Sequence, residues 1–329
     1  MDLPAYWKAI IPDEHRRAEW HDYRSRCTYM VTVGINEGAP SLGSLAGCQI
    51  ELSEAGKIVT DEIMTTPLHN PEIEIMSFIV MPDHFHLLLR VKRRMSRALG
   101  DVVQAIKSVC TRRIRASYGN ADIVVFQSGF HDRIVRDVSQ LQTLQKYIAD
   151  NPRRLMIKRR TPELFKKVIH LDIGDYRCTA IGNMFLLRDF YKRAVVIHRS
   201  SSAEEKNSQI ESLIRLVREG CVLVSAFISK DEKLVRDRAI EVGGSIIHLC
   251  KEGFPPRYKP SGLEFELCSQ GRLLKLSPWE YSTRKTPLTR EQALLMNNLA
   301  RCIEASDYSL PIRYRSSSTD NNSAGNIER

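Results

Sequence analysis

The chain has 329 residues, of which 43% are hydrophobic and 27% charged. Those proportions exclude wholesale disorder, a collagen-like repeat and a coiled coil, and the length suits about two domains. The net charge of +10 is unevenly placed: residues 90–160 hold 17 Lys and Arg against 5 Asp and Glu, and the rest is close to neutral. A local basic surface points to a polyanion such as nucleic acid, although a merely solvated basic face would look the same. No apolar run approaches the ~18 residues that span a bilayer. Met1-Asp2-Leu3-Pro4 lacks the basic-then-apolar order of a signal peptide. Eight cysteines are scattered with no CxxC pair, which argues against a redox motif or zinc knuckle. Free thiols in apolar runs fit a reducing compartment, so a cytoplasmic protein is expected.

The predicted elements follow in chain order. Tyr29-Met30-Val31-Thr32-Val33 is rich in β-branched and aromatic residues and reads as a strand, and Cys48 to Leu52 alternates as a second one. A helix is expected to begin near Gly56 and cover Lys57 to Met64. Ile75 to Met81 and His84 to Val91 form a hairpin broken at Pro82. Ser96 to Ser117 is helical, since Leu99, Val103, Ile106, Cys110 and Ile114 recur at three- and four-residue steps. Its other face carries Lys107, Arg112, Arg113 and Arg115. A short strand over residues 129–136 precedes a helix from Ser139 to Asn151, stopped by Pro152. The irregular mixture favours an α+β lobe with an antiparallel sheet.

After a linker over residues 158–175, the pattern changes. Ala194 to His198, Cys221 to Ser225 and Ser245 to Leu249 are short apolar strands. They alternate with helices over residues 203–218 and 230–241, the signature of a parallel, Rossmann-like α/β lobe. The division is therefore 1–165, 176–305 and a polar tail, 306–329, expected to be disordered. No GxGxxG or Walker loop supports a nucleotide site. Ser200-Ser201-Ser202 ahead of a helix reads as an N-cap rather than a phosphate site. Trp279 and Tyr281 are expected to pack under this lobe, base stacking being the other reading.

The chemistry concentrates in Met81-Pro82-Asp83-His84-Phe85-His86-Leu87. Histidines at i and i+2 on a strand project from one face, so both imidazoles can meet one divalent ion, while Phe85 faces the other side. Alone, a His-x-His pair is a weak signal. Tyr147-Ile148-Ala149-Asp150-Asn151-Pro152 holds a phenol and an amide at i and i+4 on one helix face; a buried tyrosine beside a helix end would read identically. Together with the basic stretch, these features have a shared meaning. A tyrosine hydroxyl can attack a phosphodiester, a cation can stabilise the developing charge, and Arg and Lys can hold the DNA backbone. Tyr118, ending the basic helix, is a second candidate nucleophile. His131 and His170 read as surface residues.

Over about residues 20–160 the sequence resembles the HUH single-tyrosine transposases, and within them the REP-associated tyrosine transposases. Five ordered blocks carry the resemblance: Tyr29 to Val33, Leu52 to Val59, Phe78 to Leu87, Phe126 to Asp137, and Tyr147 to Pro152. It implies a ferredoxin-like antiparallel sheet backed by helices, with Tyr147 as nucleophile and His84, His86 and Asn151 as metal ligands. Many relatives carry Asn where this chain has Asp83. The resemblance further implies Mg²⁺ or Mn²⁺ as cofactor, single-stranded hairpin-containing DNA as partner, no membrane, and a homodimer as one assembly. DNA contacts are expected from Arg90, Lys107, Arg112, Arg113, Arg115, Arg133, Arg136, Arg153 and Arg154. The expected activity is DNA cutting and strand transfer through a 5′-phosphotyrosine link. Its rivals are a catalytically silent, regulatory DNA-binding module of the same descent and a metal-independent RNA-binding protein. The second lobe loosely resembles the Rossmann-like lobe of bacterial DNA-processing proteins.

Overall fold

A computed structural model describes residues 18, 20–198, 200–284 and 286–306. The expected tail from 307 on lies outside the described residues. Two compact units divide the chain, residues 1–156 and 157–329.

In the first unit the elements run β1 (Thr28–Gly34), β2 (Gly43–Ala46), β3 (Gln49–Leu52), α1 (Glu54–His69), β4 (Ile73–Val80), β5 (His84–Val91), α2 (Leu99–Tyr118), β6 (His131–Val135) and α3 (Val138–Arg160). β2 and β3 form a small hairpin. The others build an antiparallel sheet in the order β4-β5-β1-β6. With α1 and α2 as crossovers this is the β-α-β-β-α-β arrangement of a ferredoxin-like fold.

Strand alternation assigns the two sheet faces. Tyr29, Val31, Val33, Phe85, Leu87 and Leu89 are fully buried in a cluster with Ile58, Val59 and Ile63 of α1 and Leu99, Val103 and Ile106 of α2. The intervening Met30 and Leu88 are buried with Leu144 and Ile148 of α3. A one-residue bulge between Ile75 and Ser77 resets the phase of β4, so Ile75 and Phe78 join the first cluster and Met76 and Ile79 the second. α1 begins earlier than the sequence suggests, because Ser53 is its N-cap and accepts from the Gly56 amide at 3.1 Å. Gly56 is required there: a Cβ would lie 1.8 Å from the Leu42 carbonyl oxygen.

Two expectations are corrected in this unit. Pro152 does not stop α3, which continues to Arg160. The proline removes the backbone donor that would reach the Ile148 carbonyl; Asn151 Nδ2 separately donates to the Tyr147 carbonyl at 2.7 Å. Lys107 is not on an open face of α2. It is buried, and its ammonium donates to the carbonyls of Gln127 (2.8 Å) and Gly129 (3.0 Å).

The second unit holds β7 (Lys167–Ile173), β8 (Tyr176–Gly182), β9 (Lys192–Ala194), α4 (Ala203–Arg218), β10 (Val222–Ser225), α5 (Lys230–Glu241), β11 (Ile246–Leu249), α6 (Leu263–Ser269), β12 (Leu273–Ser277) and α7 (Arg290–Ala305). The sheet order is β7-β8-β12-β11-β10-β9. Strands β9 to β12 are parallel, and β8 joins antiparallel to β12. Both faces are covered: Val222, Val224, Ile247 and Leu274 pack with α7, while Leu223, Ile246 and Leu273 pack with α4 and α5. Double burial explains the unbroken apolar runs of these strands. Residues 158–175, expected as a linker, instead hold the end of α3, a 3-10 turn and β7. Ser202 is the N-cap of α4 in a capping box with Glu205.

Candidate metal and tyrosine site

His84 and His86 lie on β5, on the sheet face that α3 covers. The register sets Thr32 of β1 opposite His86, and Thr32 Oγ1 meets His86 Nδ1 at 2.8 Å. Asp83 Oδ1 meets His84 Nδ1 at 2.7 Å. Each imidazole is therefore anchored by its δ nitrogen, and the two ε nitrogens converge to 3.2 Å. Two ligands about 2.1 Å from one ion and roughly 90–100° apart lie about 3.0–3.2 Å from each other, so the pair has the spacing of a shared cation site.

The tautomers carry the same message. An ionised carboxylate only accepts, so His84 Nδ1 donates to Asp83 and the His84 Nε2 lone pair faces His86. Without a cation, His86 Nε2 donates to that lone pair and Thr32 donates to His86 Nδ1. With a cation, both ε nitrogens present lone pairs, His86 Nδ1 donates, and Thr32 accepts. A hydroxyl serves either state because it rotates. Burial, assisted by the neighbouring His84, pulls the His86 pKa down to about 3, so the ring is neutral and ligand-competent at ordinary pH. Among the described residues no three His, Cys, Asp or Glu side chains gather as a ligand set. The pair would thus need a ligand of another kind.

α3 brings Tyr147 to this face from the same chain. Its ring centroid lies 5.5 Å from that of His86, and the Arg154 guanidinium carbon lies 5.5 Å from the tyrosine centroid. Tyr147 is 36% exposed, enough for a substrate to reach it, whereas Arg154 is buried. Asn151, one turn on, is buried and spends its amide nitrogen on the Tyr147 carbonyl. Its side-chain oxygen is the atom of the type a hard cation takes. Tyr118 ends α2, which packs on the opposite sheet face from the histidines.

The expected DNA contacts divide. Arg112, Arg133 and Arg136 are exposed. Arg133 shares the face of His86, because Met30 opposite it belongs to the α3 side. His131, opposite Thr32, is in the same cross-strand row as His86 and is exposed. Several of the expected residues are held in protein contacts. Arg90 pairs with Glu74 (3.6 Å), Arg113 with Asp61 (3.3 Å) and Arg153 with Asp150 (2.5 Å), while Arg115 Nε donates to the Ile123 carbonyl (2.9 Å). Lys107 is a carbonyl anchor and is removed from the DNA-contact set. Thr32 was not legible as a site residue, because only the strand register places it against His86.

The first unit is similar in sequence to transposases. Residues 52–151 match the family described as "Transposase IS200 like", within the stretch that resembles the single-tyrosine transposases. An uncharacterized protein of Haemophilus influenzae is 24% identical over 162 residues, 42% of this chain and 88% of its own length. Among solved structures, a REP-associated tyrosine transposase bound to a REP hairpin is 18% identical, with a TM-score of 0.32 over 42% of this chain and 74% of that one. DNA processing protein A from Streptococcus pneumoniae is 15% identical, with a TM-score of 0.31 over 77% of this chain and 76% of that one. No helix among the described residues is long and apolar enough to cross a membrane.

Proposed function

We propose that the first unit cuts and rejoins single-stranded DNA through Tyr147, with Mg²⁺ or Mn²⁺ held by His84, His86 and Asn151. The observation that carries this reading is the convergence of the two ε nitrogens beside a tyrosine of the same chain. A divalent ion bound there would draw charge from the scissile phosphate and steady the transition state. Asp83 and Thr32 hold the imidazoles in place. The Tyr147 oxygen attacks phosphorus, the bond from phosphorus to the 3′ oxygen breaks, and the phenol proton is released as the 3′ hydroxyl forms. The 5′ phosphate stays on Tyr147, so rejoining by a 3′ hydroxyl needs no other energy source. Arg154 places positive charge over the Tyr147 ring. Arg112, Arg133 and Arg136 hold phosphates without reading sequence. A strand bearing a hairpin is the substrate proposed, the kind of DNA named for the REP-associated relative.

The test separates cutting from binding. His84→Ala with His86→Ala should abolish cleavage of labelled single-stranded DNA in Mn²⁺ while leaving its affinity nearly unchanged, because phosphate contacts come from other residues. Cleavage at the wild-type rate by the double variant would remove the histidines from the reaction.

A further inference from the structure

The second unit contains a cavity of about 590 Å³ that neither the tyrosine chemistry nor the first unit uses. Its size is that of small-molecule sites. It opens where the segments after β10 and β11 leave the sheet, beyond the carboxyl ends of parallel strands, the place where open α/β sheets bind ligands. Three features mark it as built. Phe227, the second residue after β10, holds a left-handed backbone (φ 48°), a conformation uncommon for an aromatic residue and concentrated at ligand sites. Gly253 lets the chain cross residues 280 and 281, since a Cβ there would lie 2.2 Å from the Tyr281 amide nitrogen. Beneath the cavity, the buried Lys275 ammonium bonds Glu264 Oε1 (2.5 Å) and the Tyr258 hydroxyl (2.8 Å), and lies 5.8 Å and 5.1 Å from the Phe254 and Tyr258 ring centroids.

The lining combines aromatic rings (Phe254, Tyr258, Tyr281) with the ammonium groups of Lys233, Lys251 and Lys275; Glu252 is the acidic residue on the wall. Lys251 is partly committed, to Glu252 at 3.5 Å and to the Thr286 carbonyl. Lys233 is exposed on α5. Burial lowers the pKa of His248 on the wall to about 4, with Lys275 and Arg236 adding to the effect against the opposing pull of Glu264. The Lys275 ammonium is buried while the Glu264 side chain is partly exposed, and together they hold the Tyr258 hydroxyl. Flat rings stack bases, and ammonium groups hold phosphates as point charges.

We infer that this cavity binds a planar aromatic ring carrying a phosphate, the chemistry of a nucleoside monophosphate. The inference is independent of the tyrosine chemistry. The same ligand could be free or the phosphorylated end of a strand.

Isothermal titration of the full chain with AMP and dTMP, each compared with its nucleoside and with inorganic phosphate, tests it. The mononucleotide should bind at least about tenfold tighter than either fragment. Tyr281→Ala and Lys233→Ala change exposed side chains outside the buried network, so both variants should fold, and each should weaken mononucleotide binding about tenfold. Tyr147→Phe should bind as the wild type does. Displacement of bound AMP by a 5′-phosphorylated oligothymidylate, itself weakened by Tyr281→Ala, would identify a strand end as the source. Failure to displace it would identify the free nucleotide. No binding of AMP or dTMP up to about 5 mM, or equal binding by wild type and both variants, would overturn the inference.

Discussion

Replacing Thr32 by valine removes one oxygen from the metal and tyrosine site while conserving side-chain shape. In the cation-bound state the Thr32 hydroxyl is the acceptor for His86 Nδ1–H, 2.8 Å away, and His86 is buried. A buried donor left without its acceptor costs about 1–3 kcal/mol. Loss of such a supporting hydrogen bond to a metal-binding histidine typically weakens metal affinity about 10–100-fold, or roughly 1.4–2.7 kcal/mol. Mn²⁺ affinity, read by the loss of the free-ion electron paramagnetic resonance signal on titration, should therefore fall by about that factor in Thr32→Val. Thr32→Ser keeps the oxygen and should recover most of the affinity. Thermal unfolding without metal gives the structural part of the effect. Unchanged Mn²⁺ affinity in Thr32→Val would refute the reasoning that Thr32 sets the imidazole for a cation.

Three further outcomes are expected. Lys107→Met should lower folding stability by about 2 kcal/mol in urea titrations, because the carbonyls of Gln127 and Gly129 lose a charged donor, while DNA affinity of the folded protein stays the same. Arg112→Glu should weaken single-stranded DNA binding and flatten its salt dependence by a slope of about 1–2, with binding measured from 50 to 200 mM salt; unchanged values would remove Arg112 from the DNA footprint. His248 has a folded pKa near 4 and an ordinary value of 6.5, so below pH 6.5 the unfolded chain takes up a proton that the folded chain refuses. Its share of stability is full above pH 6.5 and falls by up to about 1.4 kcal/mol per pH unit down to about pH 4. His248→Phe should flatten stability across that window in denaturant titrations, and an identical pH profile would contradict the assignment.

Much of this was legible in the sequence, for identifiable reasons. The i, i+2 histidines and the alternation of β1 and β5 fix which face each residue takes, since the side-chain period of a strand is two. The strands β10 and β11 and the helices α4 and α5 read directly from apolar runs and helical stretches, and the serines ahead of α4 read as its N-cap. What stayed hidden depends on register or tertiary contact. Thr32 against His86 follows from the pairing of β1 with β5, which no local pattern encodes. Lys107 looks like any solvated lysine on a basic helix until the segment through Gln127 and Gly129 closes over it. Pro152 reads as a helix stop because its ring and missing donor disfavour a continuing helix, yet α3 runs on to Arg160. β7, β8 and β12 were missed: β7 and β8 fell in and beside the expected linker, and β12 carries a lysine, Lys275, whose partner lies in α6.

The central claim, that Tyr147 is the nucleophile, is tested most directly by trapping the covalent adduct. Labelled single-stranded DNA is incubated with the protein and Mn²⁺, denatured, resolved on a gel, and the adduct digested for peptide mapping. Label on the 3′ side of the cut, the strand bearing the 5′ phosphate, should stay with the peptide containing Tyr147, and Tyr147→Phe should give no adduct while binding DNA as before. An adduct that persists in Tyr147→Phe, or that maps to Tyr118, would contradict it.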